Sequence, residues 1–144
     1  MTTEDNAVFR HSIDIQLRFN DVDTYGHVNN NAYFAYFDLG KEAYLREVLC
    51  ADFQSRRVVP VIASIRADFL APVFYGDRIA VETRIARLGT KSFTLCQRAV
   101  SRDTGQVKCA GECVMVCFDL RESRSVELPD DYRRKIAAFE NLSE

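Results

Sequence analysis

The sequence predicts an α+β fold in which a curved antiparallel sheet of five strands wraps one long central helix. Three observations carry this. One run of about 18 residues, ending at Cys50, places apolar residues at the three-and-four spacing of a buried helix. Five other segments alternate with the period of two expected of half-buried strands. The four strands that follow the helix are divided by turn-like breaks, which predicts an antiparallel meander. A helix this aromatic has to be buried, and a sheet curled around it is the compact way to do so.

The elements are justified in chain order. In "IDIQLRF", residues 13–19, Ile13, Ile15, Leu17 and Phe19 share one face while Asp14, Gln16 and Arg18 share the other. A polar loop follows, and the period then changes. Tyr33, Tyr36, Phe37, Gly40, Tyr44, Val48 and Leu49 line the inner face of a helix starting near Asn31. Asn29, Asn30 and Asn31 stand where its N-cap belongs, and Asn is a favoured cap. After a polar link from Asp52 to Arg57, "VVPVIASIRADFL" places Val59, Val61, Ala63, Ile65, Ala67 and Phe69 on one side of a strand. "PVFYGD", 72–77, is a Pro/Gly turn. Strands over 78–88, 92–102 and 106–119 are split by "GT" at 89–90 and "DTGQ" at 103–106. "LPDDYRRKIAAFE" reads as a short helix, with Asp130 and Asp131 early and Arg133, Arg134 and Lys135 later, as the helix dipole favours.

The totals bound the function. The 144 residues suit one domain, 1–144, and 47% hydrophobic content suits a packed core. A net charge of −2 gives no basic excess for nucleic-acid binding. No apolar run reaches the ~20 residues of a membrane span. The start, Met1 to Asn6, is polar and acidic rather than basic and then apolar, so no secretory signal is read and a cytoplasmic location is expected. Five cysteines, an odd number, argue against a disulfide framework. Cys109, Cys113 and Cys117 fall on one face of a strand and read as buried apolar thiols rather than metal ligands. No glycine-rich phosphate loop is present, and no cofactor or metal is expected. A hydrophobic edge strand is a pairing template, so a homodimer is expected, with further assembly into tetramers left open.

"RFNDVDTYGHVNNNAYF", residues 18–34, concentrates the polar chemistry. It has no Ser and no Cys, which argues against a Ser-His-Asp hydrolase. It does have a carboxylate upstream of a helix start, where free backbone N–H groups can hold an oxyanion. That is the minimum kit for acyl transfer. Asp23 would attack a carbonyl or activate a water, and the helix start would stabilise the developing charge. Asp21 points elsewhere in an extended segment, so one of the two carboxylates is expected to be structural. His27, with an ordinary pKa near 6.5, serves either as a general acid/base or as a brace across the loop. Tyr33 reads first as helix packing, with its hydroxyl available to a pocket.

The pattern D-x-D-x-x-G-H-V-N-N-x-x-Y-x-x-Y-F-D, residues 21–38, resembles the signature of the 4-hydroxybenzoyl-CoA thioesterase family of hotdog-fold proteins. "ADFLAPVFYGDRI" (67–79) and "RLGTKSF" (87–93) are similar to the family pattern as well. The resemblance implies a hotdog fold, assembly at least as dimers, and hydrolysis of an acyl-CoA or acyl-carrier-protein thioester. It implies Asp23 as the catalytic carboxylate and a backbone N–H near Asn30 as the oxyanion donor, with a pocket shared between protomers. His27 occupies the place of a functional His in related plant acyl-carrier thioesterases, and Tyr25 stands where those enzymes carry an Asn. Lys91 matches the Lys of the family's K-S-F segment and is the candidate for the CoA phosphates, beside Tyr33 as a substrate-binding candidate. Two alternatives stand: a hotdog hydratase or dehydratase using His27 with Asp23, and a non-catalytic acyl-CoA binder.

Overall fold

The structure, a computed structural model, describes residues 7–50 and 53–143. The N-terminal stretch read for a signal, Met1 to Asn6, and the start of the polar link at Asp52 lie outside the described residues. The elements are β1 (His11–Ile15), a 3₁₀ turn (Phe19–Asp21), α1 (Asn30–Leu49), β2 (Val58–Phe69), β3 (Ile79–Leu88), β4 (Ser92–Ser101), β5 (Val107–Asp119), β6 (Arg124–Ser125) and α2 (Asp130–Glu140). The fold is the expected α+β hotdog arrangement of one long helix in a curved antiparallel sheet. The two-residue β6, which has no periodic signal of its own, pairs with the end of β5.

The sheet order is β1-β3-β4-β5-β2. Only β3, β4 and β5 form a meander. β2 crosses to the far side and pairs with β5, which corrects the expectation of four successive hairpin strands. The reason is the link after β2, which carries the chain back to start β3 beside β1. A turn propensity at 72–77 does not distinguish a hairpin from a crossover. β1 also differs from its reading. It begins at His11 and ends at Ile15, and Phe19 leaves the sheet in the 3₁₀ turn and is 80% exposed.

α1 lies on the inner face of the sheet. Tyr33, Tyr36, Phe37, Gly40, Tyr44 and Leu49 are buried, as their spacing predicts. Gly40 is a point of close approach between helix and sheet. A Cβ there would lie 2.6 Å from Val81 Cγ1 and 3.2 Å from Gln97 Nε2. Beside it, Gln97 Nε2 donates to the Phe37 carbonyl (2.9 Å) and to Thr83 Oγ1 (3.0 Å), so the buried amide is satisfied. Cys109, Cys113 and Cys117 are buried on the inner face of β5. Burial pushes the Cys109 thiol up to about 12 and the Cys117 thiol up to about 11. Among the described residues no cluster of three or more His, Cys, Asp or Glu side chains could hold a metal ion.

Two apolar clusters divide the core along α1. One joins Tyr33, Tyr36 and Phe37 to Ile15, Ile79, Val81 and Cys109 at the helix start. The other joins Tyr44 and Leu49 to Phe93, Leu95, Tyr132 and Ile136 at the helix end. Each fully buried large apolar side chain contributes ~1.5–3 kcal/mol over its exposed state. α2 closes the second end. Lys135 Nζ donates to the Leu49 carbonyl (2.8 Å). The buried Glu140 carboxylate accepts from Tyr44 Oη (2.5 Å) and from the Ile85 N–H (2.8 Å). Among the described residues, no helix is long and apolar enough to cross a membrane.

β2 is an edge strand with large apolar side chains left open. Ile62 is 47% exposed, Ile65 40% and Phe69 44%. Its pairing with β5 shifts between Ile62 and Ser64, where Ala63 is the extra residue. Beyond that bulge Ile65, Ala67 and Phe69 lie opposite Cys113, Gly111 and Cys109, on the helix side. Before it, Pro60 and Ile62 lie opposite the buried Cys117 and Met115, so Val59 and Val61 face outward. The single apolar face expected from Val59 to Phe69 is therefore two half-faces, exchanged at the bulge.

Candidate active site

The polar loop between β1 and α1 is built from Asp21 upward. The Asp21 carboxylate is 3% exposed. It accepts from the Arg18 N–H (3.0 Å), from Arg18 Nε (3.1 Å) and Nη2 (2.9 Å), and from Tyr36 Oη (2.7 Å). Burial pushes its pKa up, but the Arg18 side chain, the Arg18 backbone and Tyr36 more than offset that and hold it below the ordinary value. Asp21 is thus the buried member of the pair, its carboxylate held by Arg18 and Tyr36.

From Asp21 the chain makes a small hairpin. The Asn29 N–H donates to the Asp21 carbonyl (2.7 Å), Val22 bridges Val28, and the Asp23 N–H donates to the His27 carbonyl (2.9 Å). Gly26 closes the tip with φ +82° and open space around it, so conformation rather than packing calls for glycine there. The return arm docks on the turn after β2. The Val28 N–H donates to the Val73 carbonyl (2.7 Å), and His27 bridges Phe74. The His27 ring stands edge-on to Phe74, with centroids 5.0 Å apart.

Asp23 sits at this tip. Its Oδ1 accepts from the Tyr25 N–H (2.9 Å) and the His27 N–H (3.3 Å), which fix the carboxylate. Its Oδ2 has no hydrogen bond among the described residues. Asn29 is the N-cap of α1: its Oδ1 accepts from the Asn31 N–H (3.1 Å) and its carbonyl from the Ala32 N–H (2.9 Å). The helix therefore starts one residue earlier than expected, at Asn30. With Asn31 and Ala32 satisfied, the Asn30 N–H is the first helix amide, and it has no acceptor among the described residues. A free carboxylate oxygen and a free helix amide are what an acyl-transfer site needs.

Asp23 and Asn30 both line one pocket of about 310 Å³, with His27, Val28 and Tyr33 on the loop and helix side. Phe69, Leu70, Ala71 and Pro72 form the opposite wall. The structure brings together four of the five sequence-predicted site residues. Tyr33 is buried between Tyr36 and Phe69, and burial pushes its phenol up to about 12, so it is neutral at the pocket wall. Lys91 is not brought there. It is exposed at the β3–β4 turn, where its carbonyl accepts from the Cys117 N–H (2.9 Å) beside the core cluster at the other end of α1. The wall from Phe69 to Pro72 was missed. Its sequence signal is an apolar run interrupted by proline directly after a strand; its meaning depends on the β2–β5 pairing.

Residues 17–136, most of the chain, match the family model of the thioesterase-like superfamily. The chain belongs to the thioesterase-like superfamily. This thioesterase is similar to the PA5185 protein of Pseudomonas aeruginosa strain PAO1, at 35% identity over 92% of each chain, with a TM-score of 0.84. It is also similar to a thioesterase of Thermus thermophilus solved in complex with coenzyme A and Zn. That likeness is 28% identity over 94% of this chain and 98% of the other, with a TM-score of 0.80. The long-chain acyl-CoA thioesterase FadM of Escherichia coli strain K12 is 25% identical over 85% of this chain and 93% of its own. The thioesterase is thus an enzyme of thioester hydrolysis, and the loop pocket is its candidate centre.

Proposed function

We propose that the protein hydrolyses acyl-CoA thioesters with Asp23 as the catalytic carboxylate and the Asn30 N–H as the oxyanion donor. The observation that carries this is the shared pocket lined by Asp23 and Asn30, which keep one carboxylate oxygen and one helix amide without a hydrogen bond among the described residues. Asp23 Oδ2 attacks the thioester carbon directly, forming an acyl anhydride that a water then cleaves to the free acid and the regenerated carboxylate, or it takes a proton from an attacking water. In either course negative charge develops on the carbonyl oxygen, toward the N-terminus of α1, and CoA departs as its thiolate. Coenzyme A bound to the Thermus thermophilus relative supports the carrier. The pattern at residues 21–38 supports the 4-hydroxybenzoyl-CoA branch of the family.

His27 contributes its backbone to Asp23 and its ring to Phe74. The His–acid pair that a hydratase would use is not formed, so that alternative gains no support. A binder without chemistry would gain nothing from an unsatisfied Asp23 oxygen facing the acyl carbon.

The unit we propose is a homodimer joined through β2. Ile62, Ile65 and Phe69 face the helix side and are uncovered. A second copy pairing its own β2 antiparallel keeps both helices on one face and covers them. The same twofold exchanges strand ends, which carries Lys91 of the partner subunit toward the pocket, where CoA phosphates would meet it.

The test is release of CoA thiol from a panel of acyl-CoA esters. Asp23→Asn is expected to lower kcat by at least ~10²-fold, the usual contribution of a general base. Unchanged turnover in that variant would remove Asp23 from the mechanism. Tight binding of an acyl-CoA with no turnover by the wild type would favour the binder.

A further inference from the structure

We propose that Tyr36, through Asp21, is a positioning residue for this reaction: its hydroxyl sets the placement of Asp23 against the Asn30 N–H. The inference rests on the reading of Asp23 and Asn30 given above and adds the device that aligns them.

Asp23 and Asn30 belong to different pieces of structure, the tip of a small hairpin and the start of a helix. Asp21 is the residue that ties the two. Its carbonyl receives the N–H of the cap residue Asn29 (2.7 Å), and its carboxylate receives the Tyr36 hydroxyl (2.7 Å) from the second turn of α1. Asp23 follows two residues later. A shift of Asp21 against α1 therefore moves the reacting carboxylate against the amide that must face the oxyanion. Packing alone does not call for tyrosine at this place. The side chain is 3% exposed, and an unbonded hydroxyl at that depth is a cost that phenylalanine would avoid. Arg18 completes the shell around the carboxylate, so Asp21 stays seated when the acyl group arrives.

Tyr36→Phe keeps the ring packed on Tyr33 and removes only the hydroxyl. A misplacement of about 1 Å in a reacting group can cost ~10²-fold in rate. The expected result is a kcat lowered by about tenfold or more, with KM within about twofold of the wild type. The decisive readout is the same substitution made in Asp23→Asn, where it should cost less than about twofold, because residues acting as one unit are not additive. The near-isosteric Asp21→Asn, measured in the same two backgrounds, is a second route should the first variant melt below assay temperature. Equal losses in both backgrounds, or no loss in the wild-type background, overturn the positioning role. Full turnover in Asp23→Asn alone is a different outcome; it overturns the reading of Asp23, and this inference with it.

Discussion

Asp21 and Asp23 differ in what surrounds each carboxylate. Asp21 is closed in by Arg18 and Tyr36, whereas Asp23 lines the pocket. Asp119 is a third case. Its oxygens accept from Arg57 Nε (2.8 Å) and from the Arg121 and Glu122 N–H groups (2.8 and 3.0 Å). The Arg57 hydrogen bond leads in holding it down at about 2, against burial. A carboxylate whose folded value lies below its unfolded value stabilises the fold above the unfolded pKa, and the contribution is lost as pH falls through the folded one. Thermal midpoints by circular dichroism should therefore show Asp119→Asn below wild type at pH 7, with the gap closing between pH of about 4 and about 2. A gap independent of pH would show that the charge on Asp119 is not what matters. At this scale the grouping of Asp23, His27 and Asn30 at one pocket was legible, because Asp, His and Asn at a helix start are few and ordered. Which Asp is buried was not, because the answer lies with Tyr36, on a separate element.

For α1, the spacing of aromatic residues predicted the buried face, and the boundary was off by one residue because Asn29, Asn30 and Asn31 can all cap. Gly40 on that face is the contact with the sheet. Adding a Cβ would place it 2.6 Å from Val81 Cγ1, and Val81 is fully buried. Overpacking of this kind costs ~1–3 kcal/mol, partly offset by the ~1 kcal/mol that alanine gains over glycine within a helix. Gly40→Ala should lower the urea midpoint while leaving the denaturant slope unchanged; an unchanged or higher midpoint would mean the sheet yields at Val81. For β2, a period of two was legible but its phase was not, since one unpaired residue exchanges the faces without altering composition.

The order of strands in the sheet is a property of the whole molecule, and the local pattern did not contain it. Each of the expected strands formed, yet β2 pairs with β5 because the link after it runs across the sheet. That crossover leaves an apolar edge and puts Phe69, Leu70 and Pro72 at the pocket wall. Under the proposed dimer, sedimentation should give about twice the 16.5 kDa chain mass. Ile62→Lys, which places a charge on the open edge, should shift the protein toward monomer and lower turnover together. A monomeric wild type with full activity would separate the site from any second copy.

The unpaired Ala63 gives the chain an unusual tolerance. Ile62 already faces Met115 and Ser64 already faces Val114, neighbours in β5, so the strand could lose Ala63 and every remaining residue would keep its partner. A residue removed away from the bulge, between Val58 and Val61 or between Ile65 and Phe69, would turn part of the strand inside out. Loss of length is thus absorbed at the bulge, at the middle of the border along which two molecules would join.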